Sequence, residues 1–293
     1  MLGNFVREFP SIAALSPAPK EVPILAASGI DQRFVVQGRT TTVFDAFDFA
    51  VEERSFVSIV GPSGCGKSTL LKLMAGLESA SGGEVLFKGQ RIQQPPKGVI
   101  YVFQQYTKSI FPWRTVLENV GFGLEHRPGL NRASRREQCE EYIRLVGLEG
   151  FESYYPSQLS GGMQQRVAIA RALVCNPDVL MMDEPFSAVD ALTRATLQQL
   201  VLKIWQSLPV TVVFVTHDVD EAVYLSSRVV SLGRAPARIT DDVRVALPYP
   251  RDPVKTRSDT RYIATRERLL SRILAAETPC LADAETKRAE QRA

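Results

Sequence analysis

Eight consecutive residues offer the plainest chemistry in the chain. Gly61-Pro62-Ser63-Gly64-Cys65-Gly66-Lys67-Ser68 fits the pattern G-x-x-x-x-G-K-[ST]. Glycines at this spacing let backbone N–H groups turn inward around an anion, and a helix starting behind them adds positive potential. Lys67 is placed to neutralise β and γ phosphates, and the Ser68 hydroxyl to ligate Mg²⁺. The implied ligand is a nucleoside triphosphate with Mg²⁺. Asp183 and Glu184 close the apolar run Val179 to Met182. At the carboxyl edge of a parallel sheet, Asp183 would hold the metal through water and Glu184 could polarise an attacking water as general base. Taken alone, the two acids could instead cap a turn at Pro185. A third group, Ser160-Gly161-Gly162, can cap a helix whose first N–H groups stay open to an anion. On its own that cap is weak evidence, but with the first it gives two phosphate-ready helix starts in one chain.

These groups need elements to hold them. Phe56 to Val60 reads as a strand running straight into the glycine cluster, and Leu70, Leu71, Leu73 and Met74 give a helical apolar face that stops near Gly76. Upstream, Phe34-Val35-Val36, Thr41 to Phe44 and Phe47 to Val51 read as short strands. Val212 to Val215 is a further strand, ending in Thr216-His217-Asp218. Between it and Asp183, Leu197, Leu200, Val201, Ile204, Trp205 and Leu208 keep helical spacing, which predicts a parallel crossover. A mostly helical insert is expected over about 105–175, where Arg and Glu are dense around Ser134 to Val146. The last predicted helix runs from Arg261 to Ala276, with Tyr262, Ile263, Leu269, Leu270, Ile273 and Leu274 on one side.

Composition narrows the function classes. The 293 residues carry 35 Lys and Arg against 32 Asp and Glu, a formal +3 that argues against a protein built mainly to grip nucleic acid. With 45% hydrophobic and 23% charged residues the chain is ordinary globular material. No apolar run approaches the roughly 18 residues of a membrane span. Cys65, Cys139, Cys175 and Cys280 share no metal-ligand spacing, so reduced thiols are expected. Cys65 lies at a helix start, where a thiol pKa should be lowered, although a plain variable loop position with incidental sensitivity to thiol reagents is the favoured reading. Pro10, Pro17, Pro19 and Pro23 punctuate the beginning of the chain without a continuous apolar stretch, so no secretion signal is expected. From Arg234 to Arg272, 10 basic residues outweigh 5 acidic ones, which reads as a solvated face or as attraction to anionic lipid headgroups.

In this order, GPSGCGKST, FQQ, LSGGMQQR, LMMDEP, SAVD and THD resemble the ATP-binding subunit of an ABC transporter, over about residues 28–245. FPWRTVLENV from Phe111, FVTHDVDEAVYL from Phe214 and Pro248-Tyr249-Pro250-Arg251 further resemble the importer branch for nitrate, sulfonate and taurine. The resemblance implies an α/β P-loop NTPase, with a RecA-like core, an antiparallel β subdomain and a helical insert. The cassette would occupy residues 25–245, between a flexible extension at 1–24 and a C-terminal extension at 246–293 with one amphipathic helix and a polar tail. ATP and Mg²⁺ are the implied cofactors.

The family's site residues carry over to matching positions. Gly61, Pro62, Ser63, Gly64, Cys65, Gly66, Lys67, Ser68 and Thr69 would line the triphosphate, with Ser68, Gln104 and Asp183 at the metal. Glu184, His217, Gln104 and Lys67 would serve hydrolysis. Ser160, Gly161 and Gly162 of a second copy would complete the site in a head-to-tail dimer, with Asp190 at the seam. Phe34 stands where an aromatic stacks on adenine; Tyr is more usual there, but stacking needs only the ring face. Other implied partners are a membrane permease, docking near the segment from Gln105 to Trp113, and an extracytoplasmic substrate-binding protein; no nucleic acid is expected. The implied location is peripheral, at the cytoplasmic face of the bacterial inner membrane, and the solute a sulfonate, taurine or nitrate-type anion. A soluble ABC-type ATPase acting on nucleic acid is the competing reading, although such proteins usually carry long coiled-coil insertions or two cassettes. A P-loop kinase would leave LSGGMQQR and SAVD unexplained. Two departures stand out: Val189 replaces the usual Leu of SAVD, and Arg54-Ser55 replaces Gly-Glu. If that turn needs positive φ, Arg54 costs about 1 kcal/mol.

Overall fold

The computed structural model describes residues 22–36, 39–104, 109–125 and 127–277. The expected N-terminal extension as far as residue 21, Gln105, Tyr106, Cys280 and the tail beyond Glu277 lie outside the described residues. In chain order the strands are β1 (Leu25–Val36), β2 (Arg39–Val51), β3 (Phe56–Val60), β4 (Gly82–Phe87), β5 (Gln90–Arg91), β6 (Val99–Val102), β7 (Val179–Asp183), β8 (Thr211–Val215), β9 (Arg228–Leu232) and β10 (Ile239–Arg244). The helices are α1 (Lys67–Met74), α2 (Val116–Gly121), α3 (Arg132–Leu145), α4 (Gly161–Leu173), α5 (Ala191–Ser207), α6 (Val219–Leu225) and α7 (Thr260–Glu277). Short 3-10 turns lie at Phe122–Leu124, Pro156–Gln158 and Thr256–Ser258.

An antiparallel sheet has the order β2-β1-β4-β5, and a second sheet the order β10-β9-β3-β8-β7-β6. In the second sheet, neighbours from β9 to β6 run parallel and β10 is antiparallel. The short strands expected at 34–36, 41–44 and 47–51 are parts of one long hairpin. Its register shifts between Ala27 and Ile30 and again on both sides of Gln32, and these irregularities break the alternation from which strand length is read.

The parallel strands are mostly apolar because both of their faces are covered. Val179 and Met181 of β7, with Val213 and Val215 of β8, face α1 and the antiparallel sheet. Leu180, Met182, Val212 and Phe214 face the larger core formed with the other helices. Period-two alternation thus splits each strand between two apolar clusters. In the insert, a capping box between Thr115 and Glu118 starts α2, and the Asn131 side chain accepts from Ser134 N–H to start α3.

The final helix packs on α6, β9 and β10, and Leu247, Tyr262 and Leu269 join the larger core. Its buried stripe is narrower than expected. Ile263 and Leu274 remain 41% and 59% exposed, while Leu270 and Ile273 are partly covered. Among the described residues no helix is long and apolar enough to cross a membrane.

Register places the chemistry. Ile59 and Asp183 both pair with Val215, so β3, β7 and β8 end level. The segments leaving them emerge together at one carboxyl edge, where open α/β sheets bind ligands.

Candidate active site

Residues after β3 form a loop shaped by close backbone approach. A Cβ on Gly61 would lie 2.5 Å from the Leu232 carbonyl oxygen, and one on Gly66 would lie 2.5 Å from Val43 Cγ1. Both positions have left-handed φ, 151° and 106°, so only glycine fits twice over. Lys67 is buried in this loop, its Nζ donating to the carbonyls of Gly61 at 2.8 Å and Pro62 at 2.9 Å. The ammonium is therefore held at the mouth of the turn by carbonyls that an anion can replace.

Ser68 begins the pairing with β7. Its hydroxyl donates to Asp183 Oδ1 at 2.9 Å, and Tyr101 of β6 donates to Oδ2 at 2.8 Å. Burial, then the Asp183 charge, pushes the Tyr101 phenol well above its ordinary value, so it stays a donor. A serine hydroxyl beside a carboxylate is a hard-oxygen set suited to Mg²⁺. Among the described residues no group of three or more acids, histidines or cysteines could cage a metal unaided. Mg²⁺ is commonly bound through one or two carboxylates together with phosphate oxygens.

The next residue, Glu184, gathers two partners from other strands. Gln104 Nε2, after β6, donates to Glu184 Oε2 at 3.1 Å; His217 Nδ1, after β8, lies 3.3 Å from the same oxygen. Glu184 has φ 42°, and its N–H is pinned to the Val215 carbonyl at 2.9 Å. Two groups distant in sequence, Gln104 and His217, thus converge on one carboxylate oxygen of Glu184.

The Ser160 group lies elsewhere. Ser160 caps α4, accepting from Met163 N–H at 3.3 Å, as its sequence predicts. A Cβ on Gly162 would collide with the Thr193 methyl of α5. Asp190 caps that same helix; the Thr193 side chain and N–H, with Leu192 N–H, hold its carboxyl below the usual range. Among the described residues no hydrogen bond or ion pair joins Ser160, Gly161, Gly162 or Asp190 to the phosphate loop. Phe34, on β1, keeps 37% of its surface exposed.

One expectation is corrected. Cys65 is buried rather than poised, and burial raises its thiol pKa against the opposing charge of Lys67. The helix start does not compensate for lost hydration. Sequence reading also missed Tyr101, whose one signal was a polar tip inside the run VIYV. It missed the role of Gln165 as well, which is fully buried and donates through Nε2 to the Pro185 carbonyl, tying α4 to the turn after Glu184.

Comparison with known proteins now decides the family. A profile of the ABC transporter family matches residues 44–187. An uncharacterised ABC transporter ATP-binding protein of Methanocaldococcus jannaschii is 48% identical over 247 residues, spanning 84% of this chain and 90% of that protein. The chain belongs to the ABC transporter ATP-binding proteins. This ABC cassette is an ATPase, and its fold is the P-loop NTPase architecture with an antiparallel β subdomain. It is 45% identical over 227 residues to the aliphatic sulfonates import ATP-binding protein SsuB of Bacillus cereus, covering 78% of this chain and 88% of that one. Among solved structures, it is similar to the dimeric post-hydrolysis state of the cassette MJ0796 bound to ADP and Pi. That match has a TM-score of 0.67 and 30% identity, over 76% of this chain and all of the other. The cassette cbiO1 of Clostridium perfringens shares the fold, with a TM-score of 0.70 at 23% identity, over 86% of this chain and 98% of that one.

Proposed function

We propose that this cassette couples ATP binding and hydrolysis to uptake of a small organic anion of the sulfonate type through a separate membrane permease. The observation that carries the catalytic part is the convergence of Gln104 and His217 on Glu184 Oε2. The solute class is supported by the sulfonate-import names of relatives at 43–45% identity.

In this reading Lys67 exchanges its loop carbonyls for phosphate oxygens of ATP, and the residues from Gly61 to Thr69 cradle them. Glu184 takes the proton of the attacking water, and Gln104 orients that water against it. His217 holds the γ phosphate through its ring. Ser68, Asp183 and Gln104 would hold Mg²⁺, which when bound neutralises charge on the phosphate oxygens. Phe34 offers its exposed ring face to adenine.

Ser160, Gly161 and Gly162 stand apart from the loop of their own chain, which supports a site completed by a second copy, with Asp190 at the seam. The solved MJ0796 cassette is dimeric. A groove of about 610 Å³ is lined by Tyr101, Phe103, Phe111, Phe122, Arg171 and Cys175 among others, the first two just before Gln104 in the chain. Its apolar walls and the exposed Trp113 beside it suit a short helix of a permease at the cytoplasmic membrane face.

The test is ATPase activity in proteoliposomes containing the permease and its binding protein. Alkanesulfonates should stimulate turnover and accumulate inside. Stimulation by nucleic acid, with no membrane partner retained on purification, would contradict the assignment.

A further inference from the structure

The segment Pro248-Tyr249-Pro250-Arg251 and the helix after it take no part in the site above, yet Tyr249, Arg251, Tyr262 and Arg266 all turn polar atoms toward one short helix. That helix, α6, begins directly after Thr216-His217-Asp218. Its last carbonyls, which a helix end leaves without partners, are taken up from the C-terminal segment. Arg251 donates through its Nη1 to Val223 O at 3.0 Å and Tyr224 O at 2.7 Å, and Tyr249 donates through its hydroxyl to Leu225 O at 3.0 Å. Arg251 is 5% exposed and pairs with no carboxylate among the described residues; its guanidinium carbon stacks 4.0 Å from the Tyr249 ring centroid. At the other end of α6, Asp220 is gripped from α7. The Tyr262 hydroxyl donates to its Oδ1 at 2.9 Å, and Arg266 Nε lies 2.7 Å from the same oxygen.

A second line of bonds runs beneath the helix. Arg257 Nη2 donates to Gln198 Oε1 at 3.2 Å, and Gln198 Nε2 donates to Glu221 Oε1 at 2.9 Å. Thr216 Oγ1 donates to Glu221 Oε2 at 2.6 Å and accepts from Asp218 N–H at 3.0 Å. Gln198, Glu221 and Thr216 are 3%, 4% and 2% exposed. Burying such a chain costs free energy that apolar packing would not, and burial raises the Glu221 pKa. What it fixes is the backbone on both sides of His217.

We propose that residues 249–266 form a positioning clamp on the His217 loop, with Arg257 setting that loop through Gln198, Glu221 and Thr216. Arg257 is a positioning residue: it touches none of the reacting groups. The proposal rests on the reading that His217 serves hydrolysis.

The test is a double-mutant cycle in the full-length chain, reading steady-state ATPase kcat and KM for Arg257→Ala, His217→Ala and the pair. Arg257→Ala should lower kcat about tenfold, within the range for a displaced catalytic group, while KM for ATP stays within about twofold. In the His217→Ala background the same change should have no further effect, and Arg257→Lys should recover part of the loss. Because Arg257 is only partly buried, folding should survive; Tyr262→Phe, which deletes one hydroxyl, is a second probe with the same expected pattern. An unchanged kcat in both Arg257→Ala and Tyr262→Phe, or equal losses with and without His217, would overturn the clamp alone. If His217→Ala itself leaves turnover intact, the catalytic reading of His217 falls and the clamp with it.

Discussion

Glu184 occupies left-handed backbone at φ 42°, a conformation that costs a non-glycine residue about 1 kcal/mol or more. The sheet holds it there through the Val215 carbonyl, and the result is a carboxylate aimed at Gln104 and His217. The placement of Lys67, Ser68 and Asp183 was legible because each belongs to a short contiguous motif whose neighbours dictate the local backbone. Tyr101 was not legible, because its bond to Asp183 exists only through the parallel pairing of β6 with β7. Cys65 misleads for the opposite reason: its local context suggests a reactive thiolate, whereas packing buries the sulfur. Its raised pKa means the thiolate appears only above the ordinary thiol range. At about pH 8, peptide mapping after iodoacetamide treatment should find Cys65 modified about tenfold more slowly than a free peptide cysteine, and the lag should shrink as pH rises. Equal rates near neutrality would mean the sulfur is not shielded as described.

At the scale of elements, the turn between β2 and β3 adopts the positive φ that the sequence left conditional. Arg54 sits at φ 57°, with its N–H on Thr211 Oγ1 at 2.9 Å. Arg54→Gly keeps that bond and relieves the strain, so urea unfolding should show a gain of up to about 1 kcal/mol with no loss of ATPase activity. A destabilised variant would show that the arginine side chain contributes more than its backbone costs. The helices α5 and α7 were legible because their apolar spacing is sustained over several turns. The long hairpin was not, because its register shifts reset which face each residue occupies. The bonds that Arg251, Tyr249 and Tyr262 make to α6 have no signature in sequence, since they depend on where the chain returns after β10.

At the scale of the molecule, the basic surplus from Arg234 to Arg272 is paired in part within the fold. Arg244 meets Glu52, Arg261 meets Asp259, Arg266 meets Asp220, Arg268 meets Asp241, and Arg251 is buried among carbonyls. The proposed completion of the site by the Ser160 cap of a second copy is testable at this scale. In mixed dimers, Ser160→Arg in one subunit should impair hydrolysis at the intact loop of the other, as read with differently tagged subunits of which one also carries Lys67→Ala. Loss confined to the altered subunit's own loop would contradict a shared site. The central claim, that Glu184 activates water while nucleotide binding depends on the loop beside it, is tested most directly by Glu184→Gln. Binding of labelled ATP should be retained, while the single-turnover hydrolysis rate falls by roughly two to four orders of magnitude. A hydrolysis rate equal to that of the unaltered protein would contradict the account.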